Sequence, residues 1–113
     1  MRRTLLAVIP SLLIAAVNAG VIDIVLGELT HSHTYASQIV AATNNTGYPI
    51  RTLKIQCAFY RNRDLLAFGR TSADNVSDGQ TVYVEVVADL LSDEMAAVVN
   101  RADCGVVDTI WQE

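Results

Sequence analysis

The sequence predicts a mainly β protein, an antiparallel Ig-like β-sandwich with one short helix before the last strand. Three observations carry that expectation. Apolar and polar side chains alternate over Ile50 to Tyr60 and again over Thr81 to Val87, the period of a strand with one buried face. Turn-forming clusters such as Asn44-Asn45-Thr46-Gly47, Arg61-Asn62-Arg63-Asp64 and Asp78-Gly79 punctuate the chain every ten or so residues. A single stretch after Val87 changes to helical spacing. Short strands, frequent turns and one helix suit two packed antiparallel sheets.

The chain opens with Arg2 and Arg3, an apolar stretch from Leu5 to Val17, and Val17-Asn18-Ala19 with small or compact residues at alternate positions. That three-part layout is the pattern of a secretory signal peptide, with cleavage expected after Ala19. The apolar stretch is about 13 residues, shorter than the roughly 20 that a bilayer crossing needs. Retention as an anchor stays open, because Val21 to Leu26 is also largely apolar. The domain reading is therefore residues 1–19 as signal and 20–113 as one β-sandwich domain, with no permanent membrane span after cleavage and a secreted or periplasmic location.

Within the domain, Val21 to Leu26 reads as a first strand and Tyr35 to Thr43 as a second. Ile50 to Tyr60 is the clearest element, with Leu53, Ile55, Cys57 and Phe59 on one face and Lys54, Gln56, Ala58 and Tyr60 on the other. A polar hairpin leads to a strand over Leu65 to Arg70, and Ser72 to Gln80 reads as a loop. In the next strand Val82, Val84 and Val86 oppose Tyr83, Glu85 and Val87. Leu91, Met95, Val98 and Val99 then recur at helical spacing, with Ser92 as N-cap and Asp93 and Glu94 in the first turn, where the helix dipole favours carboxylates. The helix is expected over Asp93 to Asn100, with Arg101 at its negative end. A last strand from Cys104 to Trp111 is expected to alternate Cys104, Val106, Asp108 and Ile110 with Gly105, Val107, Thr109 and Trp111.

The chain carries 8 Lys and Arg, 12 Asp and Glu and a net charge of −4. Loss of Arg2 and Arg3 with the signal would take it to −6. An acidic chain with scattered basic residues lacks the electrostatic footprint for nucleic acid or for an anionic membrane surface. Cys57 and Cys104 are the two cysteines. In an oxidising compartment an even count predicts a disulfide, and both lie in strands on core-type faces. The bond would tie a central strand to the last one and, on the chain-entropy model, contribute about 4 kcal/mol. No C-x-x-C redox motif is present.

His31-Ser32-His33 is the one candidate metal site. On a strand the imidazoles would share a face and could take copper or zinc with a third ligand such as Glu28; on a loop they are ordinary solvated side chains. No catalytic residues are assigned. Both histidines sit in one three-residue segment, and neither G-x-S-x-G nor a phosphate-cradling glycine loop occurs. No cofactor is expected. Tyr60, Tyr83 and Trp111 fall on strand faces opposite the expected core and form a candidate binding face, or else cross-strand cover for a second sheet face; Trp111 has the further option of packing under the first strand. Asn44-Asn45-Thr46 and Asn75-Val76-Ser77 match the N-glycosylation acceptor.

The order of "NNTGYPI", a strand with "CAFY", the polar turn "RNRD", "LLAFG", a loop with "SDGQ" and the strand "VYVEVV" resembles the FxLYD-type small exported bacterial domains over roughly Tyr35 to Trp111. Of the naming motif, Tyr60 matches; Cys57 stands where the family has Phe, Phe59 where it has Leu and Arg61 where it has Asp. The resemblance implies an Ig-like sandwich in an exported protein without established enzymatic activity. The expectation for function is thus a secreted or periplasmic non-catalytic interaction or envelope-associated module with a protein or envelope component as partner. The alternatives are a periplasmic copper- or zinc-binding protein using His31 and His33, and a small secreted hydrolase.

Overall fold

The computed structural model describes residues 21–112; the expected signal segment lies outside them. Among the described residues six strands form two antiparallel three-stranded sheets. They are β1 (Val21–Ser32), β2 (Tyr35–Asn45), β3 (Ile50–Arg61), β4 (Asp64–Val76), β5 (Thr81–Asp89) and β6 (Arg101–Trp111), with one helix, α1 (Asp93–Ala97), before β6. Strand order is β1-β2-β5 in the first sheet and β4-β3-β6 in the second. The predicted mainly β sandwich with a helix before the last strand is the observed architecture.

The core forms where the two inner faces meet. Val40 and Ala42 from β2, Leu53, Ile55, Cys57 and Phe59 from β3, and Val86 from β5 are all fully buried. The alternation that marked β3 therefore reports its true faces. On the outer face of the second sheet Lys54 lies beside Ser72 and Asp108 and Gln56 beside Arg70 and Gly105, followed by Ala58 beside the exposed Phe68. Arg70 Nε donates to Gln56 Oε1 at 2.6 Å across that face.

Pairing extends several elements beyond their sequence signals. β1 runs on to Ser32 because β2 offers it a continuous partner, with a bulge that leaves Gly27 and Glu28 between the Leu26/Val40 and Leu29/Gln38 pairs. Ser72 to Val76, expected as loop, is strand, since Thr52, Leu53 and Lys54 of β3 pair with Asp74, Ala73 and Ser72. Only Ser77 to Gln80 remain as the turn.

The helix is shorter than its periodicity suggested. Ser92 caps it as expected, its Oγ accepting from Met95 N at 3.1 Å, but α1 stops at Ala97. Ala96 is its buried residue, while Leu91 is 85% exposed in a left-handed conformation with φ 71°. One bond competes with a longer helix: Asn100 N donates to Tyr60 O at 2.9 Å, drawing the chain into β6 two residues after Val98. Arg101 consequently begins β6 rather than ending the helix. Its guanidinium lies 4.1 Å from the centroid of the Tyr60 ring and 2.7 Å from Asp103 Oδ2.

β6 corrects a second expectation. Lys54 pairs with Asp108 and Ile55 with Val106, so Val107 is an extra residue in a bulge, and Arg51 is extra on β3 between the Ile50/Trp111 and Thr52/Ile110 pairs. A one-residue slip reverses every later side chain. Thr109 stands opposite inward Leu53 and Trp111 opposite buried Ile50, so the predicted strict alternation from Cys104 to Trp111 ends at Val107.

Candidate functional site

The outer face of the β1-β2-β5 sheet carries an apolar row at its centre. β2 carries Ile39, Ala41 and Thr43 outward between the buried inward residues Gln38, Val40, Ala42 and Asn44. The register then places Val25, Ala41 and Tyr83 in one row across three strands, and Asp23, Thr43 and Thr81 in the next. Tyr83 is 76% exposed and Val25 63%. An antiparallel sheet facing water usually alternates apolar inside with polar outside; here the middle of the outer face is apolar.

A groove of about 420 Å³ crosses this face, lined by Val25, Leu26, Gly27, Ile39, Ala41, Thr43, Thr81 and Tyr83. Its floor exists because of the bulge in β1. Gly27 has no side chain where a Cβ would stand 3.4 Å from the Cβ and Cγ2 of Ile39, so the surface is hollow there. The bulge is held by Gln38, which is almost fully buried and whose Nε2 donates to Gly27 O and Ile39 O, both at 2.9 Å. Those carbonyls would otherwise lack a donor at a break in the ladder.

Polar groups at the rim are already paired. Asn45 Nδ2 donates to Asp23 Oδ2 at 2.7 Å, the Thr43 and Thr81 hydroxyls are 2.6 Å apart, and Ser37 Oγ donates to Glu85. The arrangement offers apolar contact and shape, with few free directional groups to orient a polar substrate.

The sequence-predicted site residues do not assemble into one place. Tyr83 belongs to the groove. Tyr60 lies on the outer face of the other sheet, level with Leu65 and Arg101, and Trp111 is opposite Ile50 at the end of that sheet; the three aromatics share no single surface. His31 pairs with Ala36 in β1, whereas His33 occupies the turn after Ser32 with φ 54°, so the two imidazoles do not share a strand face. Among the described residues no group of three or more His, Cys, Asp or Glu stands close enough to hold a metal ion, and Glu28 joins no such set. Cys57 and Cys104 form a disulfide.

Asn44 fits poorly as a glycan acceptor. Its amide is 1% exposed and donates to Tyr48 O at 2.8 Å and Val76 O at 3.2 Å, so a glycan on Nδ2 would remove those bonds and has no path to solvent. Asn75 of the second acceptor motif is exposed.

Val25, Gly27, Ile39 and Ala41 line the groove without belonging to the candidate residues Tyr60, Tyr83 and Trp111. Two signals for them stand in the sequence. "QIVAAT" is apolar on both faces of one antiparallel strand, and a glycine inside a strand marks a bulge or close approach. Comparison with protein-family models, with curated proteins and with solved structures returns no match.

Proposed function

We propose that this protein is an exported, non-catalytic interaction module, secreted or periplasmic, whose contact surface is the outer face of β1-β2-β5. The observation that carries the reading is the apolar row Val25, Ala41 and Tyr83 beside the Gly27 hollow, an exposed apolar patch of the kind that often marks a contact surface. Three features support it. The rim polar groups are satisfied among themselves, which suits apolar contact better than chemistry. The Cys57–Cys104 disulfide is compatible with an oxidising compartment. The N-terminal pattern of Arg2, Arg3 and the apolar stretch to Val17 suits export. An envelope-associated role in the manner of FxLYD-type domains is consistent with the two-sheet architecture, and rests on the resemblance alone.

The reading is tested by cross-linking in an exporting host, comparing the wild-type protein with a Val25→Glu, Tyr83→Glu double variant that places carboxylates on the apolar row. Loss of the cross-linked species in the variant, with its export and circular dichroism unchanged, is the expected result. An identical cross-linking pattern would reassign the contact surface. N-terminal sequencing of the exported protein should begin at Gly20; a chain retained from Met1 would replace export and release with anchoring.

A further inference from the structure

We propose that the outer face of the β4-β3-β6 sheet binds a neutral glycan chain, one pyranose ring of which sits over Ala58 and Gly105 against the Phe68 ring. This face lies on the other side of the sandwich from the β1-β2-β5 contact surface, so the inference goes beyond that reading and stands independently of it.

The register builds a shallow saucer. Phe68, Ala58 and Asp103 form one row across the three strands, and Arg70, Gln56 and Gly105 the next. The floor is low because Ala58 and Gly105 are small. A Cβ on Gly105 would meet nothing within 4 Å, so the space above it is open. The row Leu65, Tyr60 and Arg101 bounds the saucer at one end, and Arg70 with Gln56 bounds it at the other. Outward side chains recur about every 7 Å along a strand, and the outer two of three strands stand about 10 Å apart. That footprint suits one pyranose ring with its hydroxyls.

Two aromatic rings stand on the face, and only one is open. The Arg101 guanidinium covers the Tyr60 ring, 4.1 Å from its centroid, whereas Phe68 is 56% exposed. An open benzyl ring presents a flat π-face with negative charge at its centre. The C–H groups on one side of a pyranose carry the opposite partial charge and pack flat on such a face.

Polar groups beside the ring keep bonding capacity. Arg70 Nε donates to Gln56 Oε1 at 2.6 Å, and among the described residues Gln56 Nε2 and the terminal nitrogens of Arg70 have no protein partner. Arg101 Nη1 donates to Asp103 Oδ2 at 2.7 Å, which leaves Asp103 Oδ1 as an acceptor. Donors and an acceptor thus flank the floor, and a sugar hydroxyl can both donate and accept. Around the Gly27 groove the rim groups satisfy one another instead, so a polyol would find nothing there to orient it.

Charge selects a neutral ligand. Arg101 is paired with Asp103, Arg70 lies in the next row, and Lys54 stands beside Asp108 in the row after that. An anion would meet the carboxylates of Asp103 and Asp108, and a cation would meet Arg70 and Lys54. A neutral polyol uses both signs as hydrogen-bond partners. An apolar platform with a few placed polar groups is the usual composition of a small-ligand site.

The test is a titration of isotope-labelled protein, recovered from an exporting host, with cellohexaose and with chitohexaose, followed by two-dimensional amide NMR. At least one of these neutral chains should bind with a Kd of about 0.1–1 mM, the weak range of an open site. The shifts should centre on Gln56, Ala58, Phe68 and Gly105, and added salt should leave the affinity unchanged because no ionic contact is screened. Phe68→Ala and, separately, Gly105→Leu, which covers the floor, should each weaken binding at least about tenfold while the spectrum stays dispersed. The Val25→Glu, Tyr83→Glu double variant should bind like the wild type. No shifts with either chain up to about 10 mM overturn the assignment, as do shifts centred on Val25 and Tyr83 or wild-type affinity in Phe68→Ala. Binding confined to an oligogalacturonate and abolished by salt overturns it in favour of an anion site at Arg70 and Lys54. None of these outcomes bears on the β1-β2-β5 contact surface, which the cross-linking of Val25→Glu, Tyr83→Glu reads separately.

Discussion

Cys57 and Cys104 stand directly opposite each other on neighbouring antiparallel strands, with their Cα atoms 4.1 Å apart. The disulfide thus staples β3 to β6 within one sheet and does not bridge the two layers, as the inter-sheet bond of antibody-type domains does. It reinforces a ladder that the backbone already forms, yet it closes a segment of 47 residues that includes β4, β5 and α1.

Reduction should therefore destabilise the domain without changing its topology. Replacing both cysteines by alanine is expected to cost about 2–4 kcal/mol in denaturant unfolding, on the scale of long-loop disulfides, with far-ultraviolet circular dichroism retained. In the native oxidised protein neither sulfur should alkylate. After mild reduction Cys104, which is partly exposed, should react before the fully buried Cys57. Mass spectrometry of alkylated peptides reads that order, and faster labelling of Cys57 would contradict the packing.

Asn44 should be the most sensitive polar residue. Besides its two donated bonds, its Oδ1 accepts from Thr46 N at 3.0 Å and from Thr46 Oγ1 at 2.6 Å, and its backbone bonds Gln80 O and Gly79 N. It joins the β2–β3 connection to the β4–β5 turn. Asn44→Ala would remove the side-chain bonds to Tyr48 O, Val76 O and Thr46 N and is expected to cost about 2–4 kcal/mol. Expressed in a glycosylating host, the folded protein should carry sugar at Asn75 and not at Asn44, as glycopeptide mapping would show.

Two glycines should respond oppositely to alanine. Gly69 lies in the row of Cys57, and a Cβ there would collide with the Val87 carbonyl, whose carbon lies only 2.8 Å from that position. It is where β5 crosses closely over β4. Gly69→Ala should destabilise by about 2 kcal/mol or more, since backbone and not a flexible side chain must move. A Cβ on Gly105 would meet nothing within 4 Å, so Gly105→Ala should be neutral or stabilising by a few tenths up to about 1 kcal/mol. Paired urea melts decide both.

The histidines should not make a tight metal site. Calorimetric titration with zinc or copper should show no binding tighter than about 10 μM, and a His31→Ala, His33→Ala double variant should behave like the wild type. Tight binding lost in that variant would establish a site that the separation of His31 on β1 from His33 in the turn argues against.

The helix cap offers a smaller effect. Ser92→Ala removes the acceptor for Met95 N and should cost about 1 kcal/mol. Because α1 has only five residues, the loss should appear as faster hydrogen exchange confined to residues 92–98 rather than as a large shift of the whole transition.

The sequence by itself determined the strand class, the buried set of β3, the faces of β5, the N-cap at Ser92 and the pairing of the only two cysteines. Each of these follows from period, turn chemistry or simple counting, which are local properties. The tertiary structure decided what depends on a partner strand. Ser72 to Val76 is strand because β3 is there to pair with it; α1 is short because Tyr60 O claims Asn100 N; Thr109 stands opposite Leu53 because Val107 bulges. The contact face is of the same kind. Ile39 and Ala41 read as ordinary strand residues until β1 and β5 set Val25 and Tyr83 beside them, and Gly27 becomes a hollow only because Gln38 holds the bulge around it. Its apolar extent does not exist before three strands, separate in the chain, are hydrogen-bonded in one register.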